Sequence, residues 1–272
     1  MFLSLPVIIK RMEYLVFLSV FVFGTIIGSF LNVVIFRYNT NFSLGGRSIC
    51  LYCGKILRWY ELVPLISFLV LKGRCATCRS RLSLQYPSVE FMAGTLFLFS
   101  FIYAKNNMIE AIFYFLPYLW VVMSLILVIV VYDLRHKIIP DGLVFFFILL
   151  SLLRPVIFLL PGENITLALL SGPVFALPFM ALFFFSRGRW IGLGDAKLVL
   201  GIGWFLGMVS AGLALLFSFW IGAVVAIFLL LLKDRKFTME SEIPFAPFLV
   251  LGLIIALFVP TSYLLRVLGF SG

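Results

Sequence analysis

Residues 112–135 read IFYFLPYLWVVMSLILVIVVYDLR, an apolar run that is followed by a single acidic residue, Asp133. About 20 apolar residues are enough for an α-helix to cross a bilayer. Backbone groups cannot stay unpaired in lipid, so this span should be helical. An ionisable side chain at the rim of a membrane span is costly to keep there, which makes Asp133 a candidate functional residue.

The composition of the whole chain is that of a membrane protein. Its 272 residues are 64% apolar and 12% charged, whereas an ordinary soluble domain has about 25% charged residues. The mean hydropathy is +1.20. We therefore predict an all-α, polytopic membrane helix bundle with about eight transmembrane helices rather than a large soluble core. The predicted spans are Tyr14–Phe36, Val89–Tyr103, Ile112–Tyr132, Leu143–Leu160, Ile165–Phe185, Leu198–Met208, Ala211–Leu232 and Phe245–Leu265.

The distribution of basic residues predicts the orientation of the bundle. When the loops are assigned to alternate sides, 16 of the 21 basic residues fall on one side. The richer side is cytoplasmic by the positive-inside rule. We attribute the net charge of +10 to this orientation and expect no nucleic-acid partner. The first apolar run has no small-residue cleavage site at the usual distance, so we expect it to be retained as a helix.

A second aspartate follows a glycine-containing turn on the predicted cytoplasmic side, in Gly192-Leu193-Gly194-Asp195-Ala196-Lys197. Two carboxyls that meet can divide the roles of acid and base, which activating a water for peptide hydrolysis requires. We predict that Asp133 and Asp195 are such a catalytic pair. Gly192 and Gly194 permit a close backbone approach, so an extended substrate could lie against the carboxylate. The alternatives are a solvated helix end for Asp133 and a helix cap for Asp195.

Four further polar residues near the predicted spans have weaker functional interpretations. Asp141 follows Pro140 and is typical of a helix start, so we expect a structural role. His136 is expected to be interfacial rather than a catalytic base. Lys197 is a candidate for lowering the pKa of a nearby carboxyl or for contacting lipid phosphate. Glu90 opens a span and is a candidate for binding a cationic ligand.

The four cysteines form two C-x-x-C pairs, Cys50/Cys53 and Cys75/Cys78. Paired units at this separation are typical of zinc sites, in which four thiolates complete a tetrahedral shell. Disulfides and free thiols are the alternatives, and a reducing cytoplasm disfavours disulfides. We predict a structural zinc. The chain would then consist of a first transmembrane segment (1–36), a small cytoplasmic tetracysteine insertion (37–87) and a transmembrane protease bundle (88–272).

Six motifs resemble the prepilin peptidase family, the bacterial type IV leader peptidases of the GxGD group of membrane aspartyl proteases. They occur in the expected order and cover most of the chain. Two details differ: Gly45-Gly46 stands where a proline is common, and Leu51 follows the first cysteine where a proline is common. The motifs are Gly28–Arg37, Cys50–Cys78, Tyr86–Glu90, Asp133–Asp141, Gly192–Lys197 and Ile243–Phe248.

The resemblance implies an aspartic endopeptidase of the bacterial inner membrane, with Asp133 and Asp195 as the catalytic residues. Its substrates would be type IV prepilins or pseudopilins, whose basic leaders are cut at the cytoplasmic face. The tetracysteine loop is typical of family members that also N-methylate the product with S-adenosylmethionine. We expect this activity here, with the region of Glu90 as a possible methyl-donor site.

Two other functions remain open from the sequence alone. The Tyr132-Asp133 and Gly192–Asp195 motifs also resemble signal-peptide-peptidase or presenilin-type proteases, although the cysteine loop disfavours them. A zinc-stabilised transporter or scaffold without enzymatic activity is the second alternative. It would require further buried polar groups along the spans, and the sequence offers few.

Overall fold

The computed structural model describes residues 5–40, 43, 45–159, 162–231 and 244–269. Within these ranges the regular structure is helical apart from two isolated antiparallel bridges, so the predicted all-α class is confirmed. The predicted loop 233–243 and Leu160 lie outside them. The helices are α1 (Leu5–Arg37), α2 (Ile66–Val70), α3 (Gln85–Asn107), α4 (Ile112–His136), α5 (Asp141–Ile157), α6 (Ile165–Ser186), α7 (Leu193–Leu206), α8 (Met208–Leu231), α9 (Ala246–Phe258) and α10 (Thr261–Val267), with a 3₁₀ turn at Trp59–Leu62.

The number of membrane-spanning helices differs from the prediction. Among the described residues, five helices are long and apolar enough to cross a bilayer: α3, α4, α6, α8 and residues 11–37 of α1. A sixth span is possible if α9 and α10, bent by 113° at their junction, are one broken span. The predicted spans Leu143–Leu160 and Leu198–Met208 correspond to helices of 17 and 14 residues. The count of eight is therefore only approximate.

The chain divides by packing into two compact units, residues 1–128 and 129–272. The functional division at residues 36 and 87 is not tested by this packing and stays a prediction. In the first unit, α1 packs against α3 through glycines. A Cβ at Gly24 would lie 2.8 Å from the Cα of Gly94, and one at Gly28 would lie 2.8 Å from the Cα of Glu90. Small residues spaced by four allow this close approach of two membrane helices.

In the second unit, α7 contacts α5, α6, α8 and α9, and most of its residues are buried. Leu198, Val199 and Ile202 are fully buried. Gly203 packs against Gly172 of α6, where a Cβ would lie 2.6 Å from the Gly172 Cα. Protein rather than lipid surrounds most of α7, which explains how a short, glycine-containing helix can lie within this bundle.

Candidate active site and cysteine cluster

Asp133 lies in the last turn of α4, at the end of the apolar run that forms this helix. It is 4% exposed, so a titratable group is held away from water. The backbone N–H of Ala246, at the start of α9, donates a hydrogen bond to its carboxylate. The helix ends just beyond it, because Lys137 adopts a φ of 55° and its N–H bonds to the Asp133 carbonyl oxygen at 2.7 Å.

Asp195 lies in the first turn of α7 and outside the candidate membrane spans. Its Oδ2 accepts the backbone N–H of Gly192 at 3.2 Å, so the carboxylate closes the turn that precedes the helix. Burial and the charge of Asp133 raise its pKa to about 6, although the Gly192 N–H opposes this rise. The two carboxyls therefore interact electrostatically within one compact unit. A pair of this kind can keep one carboxyl protonated while the other is ionised.

The glycine turn is packed against the loop that connects α4 to α5. A Cβ at Gly194 would lie 2.9 Å from the Cβ of Ile139, which is closer than real side-chain contacts. Among the described residues, a Cβ at Gly192 would meet only Asp195 Oδ2, at 3.4 Å, and the Gly194 nitrogen, at 4.0 Å. Gly194 is thus required by a close contact, and this contact links the segment after Asp133 to the segment before Asp195.

Lys197 has a partner that the sequence did not indicate. Its Nζ lies 2.7 Å from Oδ1 of Asp141, the first residue of α5, and 5.0 Å from the centre of the Phe145 ring. The pair joins the starts of α5 and α7. Asp141 does begin a helix, as predicted. His136 is exposed, and its ring centre lies 4.4 Å from that of Tyr132.

Sequence reasoning missed the part that Ala246 plays beside Asp133. The first N–H groups of a helix have no partner within the helix, so they are available to a carboxylate. Ala246 is the first residue of α9, and Pro247 follows it. Proline in the first turn is a helix-start signal. It indicated that a helix begins here, but not which carboxylate the helix start would meet.

The four cysteines are brought together in the first unit, as predicted. Their Sγ atoms all lie within 4.8 Å of one another. Each pair sits in a tight turn: the N–H groups of Cys50 and Cys75 bond to the carbonyl oxygens of Lys55 and Ser80, each at 2.9 Å. Gly54 and Gly73, with φ of 68° and 64°, provide the left-handed backbone near each turn.

The ionisation of the cysteines favours a bound cation. Burial would raise the pKa of Cys50, but N–H donors from Cys53 and Tyr52 lower it to about 6. The Lys55 N–H favours ionisation of Cys53, but burial and the neighbouring sulfurs of Cys50 and Cys78 raise its pKa to about 11. Once one thiol has ionised, its negative charge thus suppresses ionisation of a neighbouring thiol. A divalent cation would remove that suppression, and the four sulfurs fit the donor set of a tetrahedral zinc site.

Glu90 lies in the first unit at the boundary between α3 and the cysteine segment. It is 7% exposed, and its Oε2 accepts the N–H of Leu65 at 2.8 Å. The Ser29 hydroxyl also donates to this carboxylate. Glu90 therefore has partners within the protein, which gives it a structural role whatever else it binds.

Two family models match this chain. Residues 22–104 match a model described as the bacterial peptidase A24 N-terminal domain, and residues 120–227 match the type IV leader peptidase family. A Bacillus subtilis (strain 168) prepilin leader peptidase/N-methyltransferase is 31% identical over 239 residues, which cover 87% of this chain and 91% of that protein. The chain belongs to the type IV leader peptidase family.

Two other relatives carry the same name, prepilin leader peptidase/N-methyltransferase. The Legionella pneumophila protein is 28% identical over 92% of this chain and 94% of its own length. The Myxococcus xanthus (strain DK1622) protein is 36% identical over 79% of this chain and 63% of its own length. No solved structure matches. Membership of the family supports a multi-pass membrane peptidase over the presenilin-like protease and the transporter or scaffold.

Proposed function

We propose that this peptidase is an aspartic endopeptidase that removes the leader of type IV prepilins or pseudopilins at the cytoplasmic face of the bacterial inner membrane. The observation that carries the proposal is the position of Asp133 and Asp195, two carboxyls held partly or fully out of water in one compact unit, on segments that the Gly194–Ile139 contact brings together. Each also accepts one backbone N–H, from Ala246 and Gly192 respectively. The positive-inside rule supports the cytoplasmic placement.

In the proposed mechanism the two carboxyls share one proton. The ionised carboxylate removes a proton from a water molecule, which attacks the scissile carbonyl carbon, while the protonated carboxyl donates a hydrogen bond to the carbonyl oxygen. The tetrahedral intermediate then collapses, the C–N bond breaks, and the departing amine takes a proton from the pair. Because the two carboxyls titrate as a pair, neither is assigned permanently as the base.

Gly192, Gly194 and Lys197 have supporting positions in this proposal. The glycine turn presents backbone on which an extended substrate segment can lie beside Asp195. Lys197 holds the start of α7 against α5 through Asp141. It does not need to touch the substrate in order to influence the geometry of the carboxyl pair.

We propose two further chemical features. Cys50, Cys53, Cys75 and Cys78 would hold a structural zinc, which supplies folding energy to a small segment with little core of its own. The protein would also transfer a methyl group from S-adenosylmethionine to the new N-terminus, as the names of its relatives suggest. The region of Glu90 is our candidate for the methyl donor.

The test is product analysis with purified protein, a prepilin precursor and labelled methyl donor. Asp133→Asn and Asp195→Asn should each abolish loss of the leader, because asparagine keeps the side-chain shape but cannot exchange a proton in this role. Glu110→Gln is the control: it removes an exposed carboxyl charge in the first unit and should retain cleavage. Cleavage by either of the first two variants at the wild-type rate would falsify the aspartic mechanism.

Methylation is read in the same experiment as a gain of one labelled methyl on the cleaved product. If leader removal occurs without label, the peptidase proposal stands and the methyltransferase proposal fails. A Glu90→Gln variant that loses label while it keeps leader removal would support the methyl-donor site. Equal loss of both activities would instead indicate the structural role that the Leu65 hydrogen bond implies.

A further inference from the structure

A short helix in the cysteine segment is fixed to the end of a membrane span. Leu65, directly before α2, donates its N–H to buried Glu90 of α3 at 2.8 Å. Glu90 lies five residues into α3, or about 7 to 8 Å along the helix axis at about 1.5 Å per residue. The start of α2 is therefore held level with the first turns of a candidate membrane span. Leu65 has a φ of 60°, an uncommon backbone state that this hydrogen bond helps to hold.

Three of the five side chains of α2 are apolar and exposed. Ile66, Leu69 and Val70 are 60%, 73% and 73% exposed. In the preceding 3₁₀ turn, Trp59 is 79% exposed and Tyr60 is 46% exposed. A contiguous apolar surface of this kind marks a contact with another molecule or with a membrane. Tryptophan and tyrosine are the residues most typical of the boundary between headgroups and acyl chains.

The charge of the same segment is strongly one-sided. Between residues 37 and 87 there are eight Lys or Arg, Arg37 included, and one acidic residue, Glu61. Glu61 is buried and paired with Lys55 at 3.0 Å, so it offers little negative charge to a partner. A zinc tetrathiolate would carry a charge of about −2, which leaves the segment positive. The exposed cations beside the cysteine turns are Arg47, Arg58, Arg74 and Arg79, and Lys72 and Arg81 are exposed nearby.

Several of these cations lie beside α2. The chain passes from α2 directly into Lys72 and Gly73, and a Cβ at Gly73 would lie 2.9 Å from the Phe68 ring of α2. Arg74 and Arg81 are paired across an antiparallel bridge in the turn that follows. Apolar side chains, interfacial aromatic rings and cations thus occur together where the segment meets a span.

We propose that this lipid-docking surface, formed by Trp59, Tyr60, α2, Lys72 and Arg81, binds the anionic headgroups of the leaflet from which α3 emerges. Ile66, Leu69 and Val70 enter the acyl boundary, while the cations contact lipid phosphate. A cationic peptide would be repelled by this charge, and a nucleic acid would leave the aliphatic side chains uncovered. The inference relies on the proposed cytoplasmic placement of this segment only to identify the leaflet that supplies the anionic lipid.

The experiment places full-length protein in vesicles of phosphatidylcholine, with and without phosphatidylglycerol, in which the acyl chains carry bromine near the headgroup. Bromine quenches nearby tryptophan fluorescence, and the Trp59 signal is the difference between wild type and Trp59→Phe. We expect quenching of Trp59 that is stronger with phosphatidylglycerol and weaker at high salt, because salt screens exposed charges.

A double variant tests the charge contribution. Lys72→Gln with Arg81→Gln should lower the ratio of docked to undocked segment about fivefold for each charge removed. Leu69→Gln should weaken quenching in both lipids. The Trp190 signal, obtained in the same way with Trp190→Phe, is the control, because Trp190 lies in the second unit and is 75% exposed. Its quenching should not respond to the first-unit variants.

Zinc content and leader cleavage in detergent report whether the variants remain folded, and they are independent of docking. Trp59 quenching that is absent, or that is equal in both lipids and unchanged by the double variant, would overturn the proposal. Failure of the proposed peptidase function would instead appear as absent cleavage in every lipid and in detergent. The two failures are therefore distinguishable.

Discussion

Replacing Gly194 by alanine is the most direct test of how the active-site turn is built. The new Cβ would lie 2.9 Å from the Cβ of Ile139, whereas ordinary contact begins near 3.4 Å. The two segments must therefore separate by about 0.5 Å. Ile139 cannot relieve the contact by changing rotamer, because its Cβ is fixed to the backbone beside Pro140. Either the loop after Asp133 or the start of α7 has to move.

The expected cost is larger for activity than for stability. Overpacking typically costs about 1 to 3 kcal/mol, but alanine in a helix regains about 1 kcal/mol relative to glycine. The net loss of stability should be about 0 to 2 kcal/mol. A misplacement of about 1 Å can cost about 100-fold in rate, so a shift of half that size next to Asp195 should lower cleavage about tenfold.

The measurement is single-turnover cleavage of a precursor in detergent, with Tm recorded for each variant. Gly222→Ala in α8 is the matched control, because its Cβ would meet Phe248 at an ordinary 3.5 Å. It should keep activity and Tm. Ile139→Gly removes the clashing Cβ, so Gly194→Ala combined with Ile139→Gly should cleave faster than Gly194→Ala alone. Wild-type cleavage by Gly194→Ala, or no recovery in the double variant, would show that this contact does not position Asp195.

Three further predictions concern charged groups and the cysteines. Lys197→Ala should weaken cleavage while costing at most about 1 kcal/mol of stability, since Asp141 is well exposed. A variant in which Lys197 and Asp141 are exchanged should cleave faster than either single replacement. If it does not, the pair has no positioning role. Glu163→Ala leaves the buried Arg154 side chain without its partner at 2.7 Å, so it should lower the free energy of unfolding by about 3 kcal/mol. This is the lower end of the range for a broken buried pair, because Glu163 is partly exposed. An unchanged Tm would disprove this. Zinc affinity should fall as the pH is lowered, because binding releases protons from the thiols, and it should fall more steeply below about 6, where the metal-free Cys50 is protonated as well. Zinc titration at several pH values checks this, and an affinity that does not change between about pH 8 and about pH 5 would contradict it.

The parts of the structure that follow local sequence rules were predictable. An apolar run that ends in Tyr132 and Asp133 has to place this aspartate at a helix end. The two C-x-x-C turns have to present their sulfurs on one side of a tight loop, and glycines follow or precede them where the backbone turns. Neighbouring residues determine the position of the α4 aspartate and the shape of each cysteine turn, and the matched spacing of the two turns indicated that their sulfurs form one cluster.

The remaining features depend on contacts between distant segments. The predicted span at Leu198–Met208 is a shorter helix whose glycines accept neighbouring helices, and hydropathy cannot distinguish lipid from packed protein around it. Asp141 begins a helix as expected, but its pairing with Lys197 depends on how α5 packs beside α7. Hydropathy predicts a single span over residues 245–265, where the structure has two helices, α9 and α10. Pro260 lies between them, but the apolar residues around it outweigh it in the hydropathy of this stretch.

The start of α9 adds a physical constraint that bears on the proposed chemistry. Asp133 receives one backbone N–H from Ala246, and Asp195 receives one from Gly192. Each carboxyl therefore has a backbone donor, and this hydrogen bonding does not by itself assign the proton to either. A proton that is not fixed by the protein can move between the two during a reaction. In the proposed mechanism this lets the same pair take a proton from water and return one to the departing amine, with no third titratable group required.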